Sequence, residues 1–261
     1  MSTESLERSY VGKYQLIAEI GRGGAATVYL AVMQGATGFT KLFVVKLLHS
    51  DIGFDGEEMS MFMNEARLAA RLNHPNVVQS LEFEEFEGRY YLAMEYLEGQ
   101  ALSRVLSPAP EGCAPLRLDH HLQILCDALG GLHYAHELCD YDGTPLNIVH
   151  RDVSPHNVFV TYEGVTKLLD FGIAKATGSK SNTTSGALKG KVAYMSPDQF
   201  DDGPVDRRVD VFAIGVMLWE AIAQRRMWKG LADLEIIRLL MQGSIPSIES
   251  AAPSVPAELA R

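Results

Sequence analysis

The hydrophobic pattern of this chain changes its period once, between Glu95 and Gln100. Before that point, apolar residues fall in short strand-like runs at 14–20, 27–32, 42–48, 77–83 and 89–94. A single stretch of helical spacing, 57–72, interrupts them and is closed by Asn73-His74-Pro75-Asn76, because proline pushes its predecessor out of the helical region. Beyond the change the runs are helical: 101–106, 120–138, 209–223 and 231–241. Strands gathered in one part and helices in another predict an α+β, two-lobed chain, with a ligand cleft between the lobes. The boundaries read as a polar lead-in at 1–13, a small β-sheet lobe with one helix at 14–94, a link or hinge at 95–100, and a mostly helical lobe at 101–261.

The totals exclude several functions. Thirty-three acids stand against 23 lysines and arginines, which argues against a nucleic-acid or anionic-membrane surface. No apolar run approaches the roughly 20 residues of a membrane span. The three cysteines, Cys113, Cys126 and Cys139, match no metal spacing. Their odd number, and the absence of a secretory signal, predict a reducing, cytoplasmic setting. Cys126 falls on an apolar helical face and is expected to be a small buried core residue.

Three constellations carry chemistry. The first is Gly21-Arg22-Gly23-Gly24 between two strands, where glycine lets backbone N–H groups approach phosphate oxygens. By itself this describes many hairpins. No helix follows it, so a dinucleotide-binding turn is excluded. The second is Lys46, a lysine inside an apolar strand, which is costly unless paired. Glu65, among the apolar positions of the next helix, is its best candidate partner. The third is His150-Arg151-Asp152-Val153-Ser154-Pro155-His156-Asn157, placed between a helix and a short β run, with Asp170-Phe171-Gly172 downstream. Asp152, Asn157 and Asp170 offer the oxygen ligands that hard Mg²⁺ prefers and shares with substrate phosphates. Residues 177–190 are Ser, Thr, Gly and Lys with almost no apolar content, and are expected to be exposed and mobile.

Taken together, these motifs resemble a eukaryotic-type protein Ser/Thr kinase, and the Ser-Pro after Asp152-Val153 resembles a bacterial subgroup of it. The resemblance runs from Gly21 to Pro197 and implies a protein kinase-like fold. It also implies ATP as phosphate donor and Mg²⁺, or Mn²⁺, as cofactor. In the implied scheme Gly21 and Gly23 cover the phosphates, and Lys46, held by Glu65, meets the α- and β-phosphates. Asn157 and Asp170 hold the metal, and Asp152 receives or orients the substrate hydroxyl proton. Val28 packs on adenine, Met94 is the gatekeeper, and the Glu95 carbonyl and Leu97 N–H bond the base. Asp210 braces the backbone of the catalytic loop. Arg151, with Lys175, senses a phosphate on the loop at 177–190, for which Thr183 and Ser185, then Thr184, are the candidate sites. The implied partner is a protein bearing Ser or Thr, with dimers forming for trans-autophosphorylation.

The chain departs from the pattern at several places. Ala26 replaces the third loop glycine. Ser154 stands where these kinases carry a lysine for the γ-phosphate, and Lys191 where they carry the threonine that touches it. The two positions are expected to face each other, so that Lys191 supplies the missing cation. His156 replaces a glutamate that reads substrate arginine in basophilic kinases. The chain is also expected to lack roughly the last two helices of the large lobe. These departures leave two alternatives: a catalytically silent nucleotide-binding regulator, and a small-molecule phosphotransferase. Retention of Lys46, Asp152, Asn157 and Asp170 argues against the first, and the Ser/Thr-rich loop against the second.

Overall fold

A computed structural model describes residues 9–24, 26–35, 38–49, 63, 66–107, 116–171, 191–201, 203–253 and 255–256. The described residues divide into two compact units, with the boundary between Glu98 and Gly99.

The first unit is a six-stranded sheet in the order β1-β2-β3-β4-β6-β5. Its strands are β1 (Tyr10–Val11), β2 (Tyr14–Arg22), β3 (Ala26–Gln34), β4 (Thr40–Leu48), β5 (Ser80–Phe86) and β6 (Arg89–Glu95). Neighbouring strands pair antiparallel throughout. Alternation assigns the faces. Phe43, Val45 and Leu47 of β4 are buried in one cluster with Tyr14, Leu16, Ala31, Tyr91 and Ala93. Tyr14 meets Phe43 edge-on at 5.2 Å between ring centroids. Lys46 therefore faces the other side of the sheet and is half-buried. Its placement in an apolar strand does not put its ammonium in the core. Residues 66–69 are helical. Half of the helix expected at 57–72, Glu65 included, lies outside the described residues.

The second unit begins with β7 (Gly99–Ala101), which joins β8 (Val158–Thr161) and β9 (Thr166–Leu168) in a small antiparallel sheet. Around it lie α1 (Leu102–Val105), α2 (Leu118–His136), α3 (Arg208–Ala223), α4 (Asp233–Met241) and α5 (Ile248–Ala251). Helix α2 packs on α3 and on β9. Its face Ile124, Leu125, Ala128, Leu132 and Ala135 is buried, at the spacing of an amphipathic helix. Helix α3 buries nine of its residues, Val209 to Ala221, and among them are the polar Asp210 and Glu220.

Three expectations change here. Tyr10–Val11, read as lead-in, is a strand paired with Gln15 and Tyr14. The link read as 95–100 narrows to 96–98, because Glu95 ends β6 and Gly99 opens β7. Cys126 is exposed, one position off the buried stripe of α2.

Candidate active site

The residues expected on the phosphate side lie along one row of the first unit. Register pairs Gly21 with Val28 and Val28 with Lys46, so all three occupy neighbouring strands at one level. Lys46 is in turn opposite Leu92, and Val44 opposite Met94. Gly23 closes the turn by donating its N–H to the Ala26 carbonyl at 2.8 Å. His49, just past β4, pins the same turn. Its Nδ1 donates to the Gly24 carbonyl at 3.2 Å, and its Nε2 meets Thr27 Oγ1 at 2.9 Å. Sequence reasoning missed His49; its position three residues after Lys46 carries no local signal. Ala26, in place of the third loop glycine, lies past the turn. It opens β3 and is 3% exposed, so its methyl is packed inside the sheet. Met94 is buried. The Glu95 N–H donates to the Gln79 carbonyl at 3.1 Å, and its carboxylate accepts from the Gln79 N–H at 2.9 Å. Leu97 lies in the 96–98 link and is half-buried.

The other set is built around Asp152 in the second unit. Arg151 has φ 61° and Asp170 has φ 52°, so a left-handed, strained backbone occurs at both. What holds the first of these is Asp210, 1% exposed at the start of α3. Its two carboxylate oxygens accept the N–H groups of His150 and Arg151, each at 2.8 Å. His136, from the last turn of α2, donates Nε2–H to the same carboxylate at 2.8 Å. Gln199 donates to the Arg151 carbonyl at 2.9 Å. Thus both helices and the turn at Pro197–Gln199 fix one strained residue next to Asp152. The expected bracing role of Asp210 is matched by this geometry; its partner His136 was not foreseen.

His150 is fully buried and bridges the two loops. Its Nε2 donates to the Leu169 carbonyl at 2.9 Å, and its Nδ1 accepts the Asp152 N–H at 3.3 Å. Phe171 packs against its ring at 4.5 Å between centroids. Asn157 donates Nδ2 to both the carbonyl and Oδ2 of Asp152, at 2.8 and 2.9 Å. Leu169 N–H returns to the Asn157 carbonyl at 2.8 Å, which sets Asp170 one residue from Asn157's own anchor. Ser103 N–H, at the start of α1, holds the Pro155 carbonyl at 2.7 Å.

Lys191 also reaches Asp152. Its Nζ lies 2.7 Å from Oδ2, with the lysine side chain 33% exposed and the aspartate 16%. Ser154 and Lys191 line one small cavity together with Tyr194, Met195 and Asp210. Ser154 is buried, and its hydroxyl has no hydrogen-bond partner among the described residues. The two departures from the pattern are therefore neighbours. Lys175, Thr183, Thr184 and Ser185 lie outside the described residues.

Residues 14–257 match the protein kinase domain family. This chain belongs to that family. It is 43% identical to the tyrosine-protein kinase MasK of Myxococcus xanthus over 95% of its own length. It is 33% identical to the serine/threonine-protein kinase PrkC of Bacillus subtilis over 94%. The chain spans 38% and 36% of those two relatives' lengths. Among solved structures, a point mutant of the kinase domain of Mycobacterium tuberculosis PknI matches with a TM-score of 0.68 at 25% identity. That match covers 98% of this chain and 88% of the other. The family and this likeness bear out the two-lobed kinase fold. Protein kinase domains use ATP and a divalent metal. No helix among the described residues is long and apolar enough to cross a membrane.

Proposed function

We propose that this chain transfers the γ-phosphoryl group of ATP to Ser or Thr hydroxyls of proteins. The observation that carries the reading is the Asp152 carboxylate, fixed by Asn157 at 2.9 Å and by Lys191 at 2.7 Å on a loop that Asp210 braces. In this reading Asp152 orients the acceptor hydroxyl and receives its proton. Lys46, steadied by Glu65, grips the α- and β-phosphates, with Gly21 and Gly23 above them. Val28, Met94, Glu95 and Leu97 hold the adenine.

Mg²⁺ suits the residues present. Both Asn157 contacts to Asp152 use Nδ2, so the amide oxygen is turned the other way, as a hard cation requires. Asn157 and Asp170 would hold it, and bound metal would neutralise phosphate charge. Lys191 takes the place of the lysine absent at Ser154 and sets a positive charge beside the transferring group. Autophosphorylation between two copies, at Thr183, Thr184 or Ser185, read by Arg151 and Lys175, is the regulation this scheme favours. A cytoplasmic setting fits it.

The test is incubation of the purified chain with Mg²⁺, γ-labelled ATP and a protein acceptor. Label on Ser or Thr that disappears in Asp152→Asn supports the reading; equal label in both contradicts it. A second reading, transfer to tyrosine, rests on the name of MasK at 43% identity, and on the uncharged Ser154 in the lysine's place. Phosphoamino-acid analysis of the labelled acceptor separates the two.

A further inference from the structure

The surroundings of Asp152 differ in charge from the rest of the chain. The net formal charge is −10. Yet among the described residues Lys191 is bonded to this carboxylate, and His156 stands exposed on the same loop. Lys191 caps Asp152 and also leads into the short turn Val192–Tyr194. Tyr194 sends its hydroxyl to Glu220 at 2.9 Å. Arg226 binds the same Glu220 oxygen at 2.9 Å and also the Tyr194 hydroxyl. The other Glu220 oxygen accepts the Met227 N–H at 3.0 Å. Glu220 is thus saturated from within the chain and 8% exposed, whereas the Arg226 side chain is 48% exposed. His156 is exposed and four residues from Asp152. Lys191 and Tyr194 line one small cavity with Asp152, and Arg226 is bound to the Tyr194 hydroxyl. Glu220 is buried, and the Arg226 side chain bound to it is exposed.

We propose that this face selects acceptor peptides with acidic residues beside the phosphorylatable hydroxyl and rejects peptides with arginine there. Arg226 does this in two ways. It presents a guanidinium to the peptide, and it occupies the carboxylate that could otherwise receive a substrate's own arginine. His156 adds a polar, non-acidic contact where an acid would have drawn basic residues. The inference rests on the protein kinase reading of the same site and names its substrate class.

The experiment uses two fluorescein-labelled peptides with one central Ser, flanked by Glu in one and by Arg in the other. Binding is read by anisotropy, with the whole chain saturated by Mg²⁺ and a non-hydrolysable ATP analogue. Phosphorylation is read separately as kcat/KM with ATP. The acid-flanked peptide should be favoured about tenfold at low salt, and the ratio should shrink in 0.5 M NaCl as charge is screened. Arg226→Ala should uncover Glu220 and raise affinity for the arginine peptide. His156→Glu, a surface change that keeps the Glu220 network intact, should move the preference the same way. Equal affinities, or a preference for arginine in the unaltered chain, would overturn the proposal. So would variants that leave the ratio unmoved. Acid-selective binding with no phosphate transfer supports the surface and contradicts the kinase reading. Transfer without any flank preference does the reverse.

Discussion

Asp210 shows how one buried side chain can set the geometry of a loop it does not belong to. Its carboxylate takes two backbone N–H groups and an imidazole N–H, and so fixes Arg151 at φ 61°. Replacing it with Ala orphans all three donors. We expect a loss of about 3 kcal/mol in denaturant unfolding, in the range for breaking a buried charged cluster, and loss of turnover with it. The bracing role was legible through the resemblance to the kinase family, and the cost of a lone carboxylate in an apolar helix favoured it. His136 as the third partner was not, since it depends on how α2 crosses α3. Lys191 is the second residue to test. If it supplies the missing cation, Lys191→Ala should lower kcat about a hundredfold, as removal of a preorganised charge does, with the KM for ATP little changed. A loss of only a few-fold in steady-state kinetics would contradict that role.

Among the elements, β7 is the least legible from sequence. Gly99-Gln100-Ala101 has no strand signal of its own; pairing with Phe159, Val160 and Thr161 of β8 makes it a strand. Glycine is required here by close approach. A Cβ on Gly99 would meet the Val160 carbonyl oxygen at 2.2 Å and Thr161 Cα at 2.6 Å. Gly99→Ala should therefore destabilise the chain by about 1–3 kcal/mol, read by thermal or denaturant melting. The glycine turn at 21–24 was legible, but the brace that steadies it was not. His49→Ala frees Gly24 and Thr27 and should raise the KM for ATP several-fold while sparing fold stability. Helix α2 contributes a pH dependence. His121 is 7% exposed, and burial lowers its pKa from 6.5. The unfolded chain binds a proton at this residue before the folded chain does. Stability from His121 is thus present above about pH 6.5 and is lost as pH falls below it. His121→Gln should flatten melting temperature against pH in that window.

Across the molecule, the change of period at 95–100 was enough to separate a sheet unit from a helical one. Strand cores were legible from alternation, while their ends shifted by one to three residues, as for β5 at Ser80–Phe86 against the expected 77–83. Residues whose chemistry conflicts with their surroundings stood out: Lys46 in an apolar strand, Asp210 in an apolar helix. What remained hidden depends on contacts between distant segments, namely the Gly21, Val28 and Lys46 row and the Tyr194, Glu220 and Arg226 network. That Lys191 stands near Ser154 was inferred only by setting two departures from one family pattern side by side, and its bond to Asp152 was not foreseen. Phosphoryl transfer in this reading depends on Asp152. Its most direct test is transfer of label from γ-labelled ATP by the purified chain, compared with Asp152→Asn folded to the same extent by circular dichroism. Labelled Ser or Thr is expected in the first and a fall of at least about a hundredfold in the second; equal labelling of the two would overturn the role of Asp152.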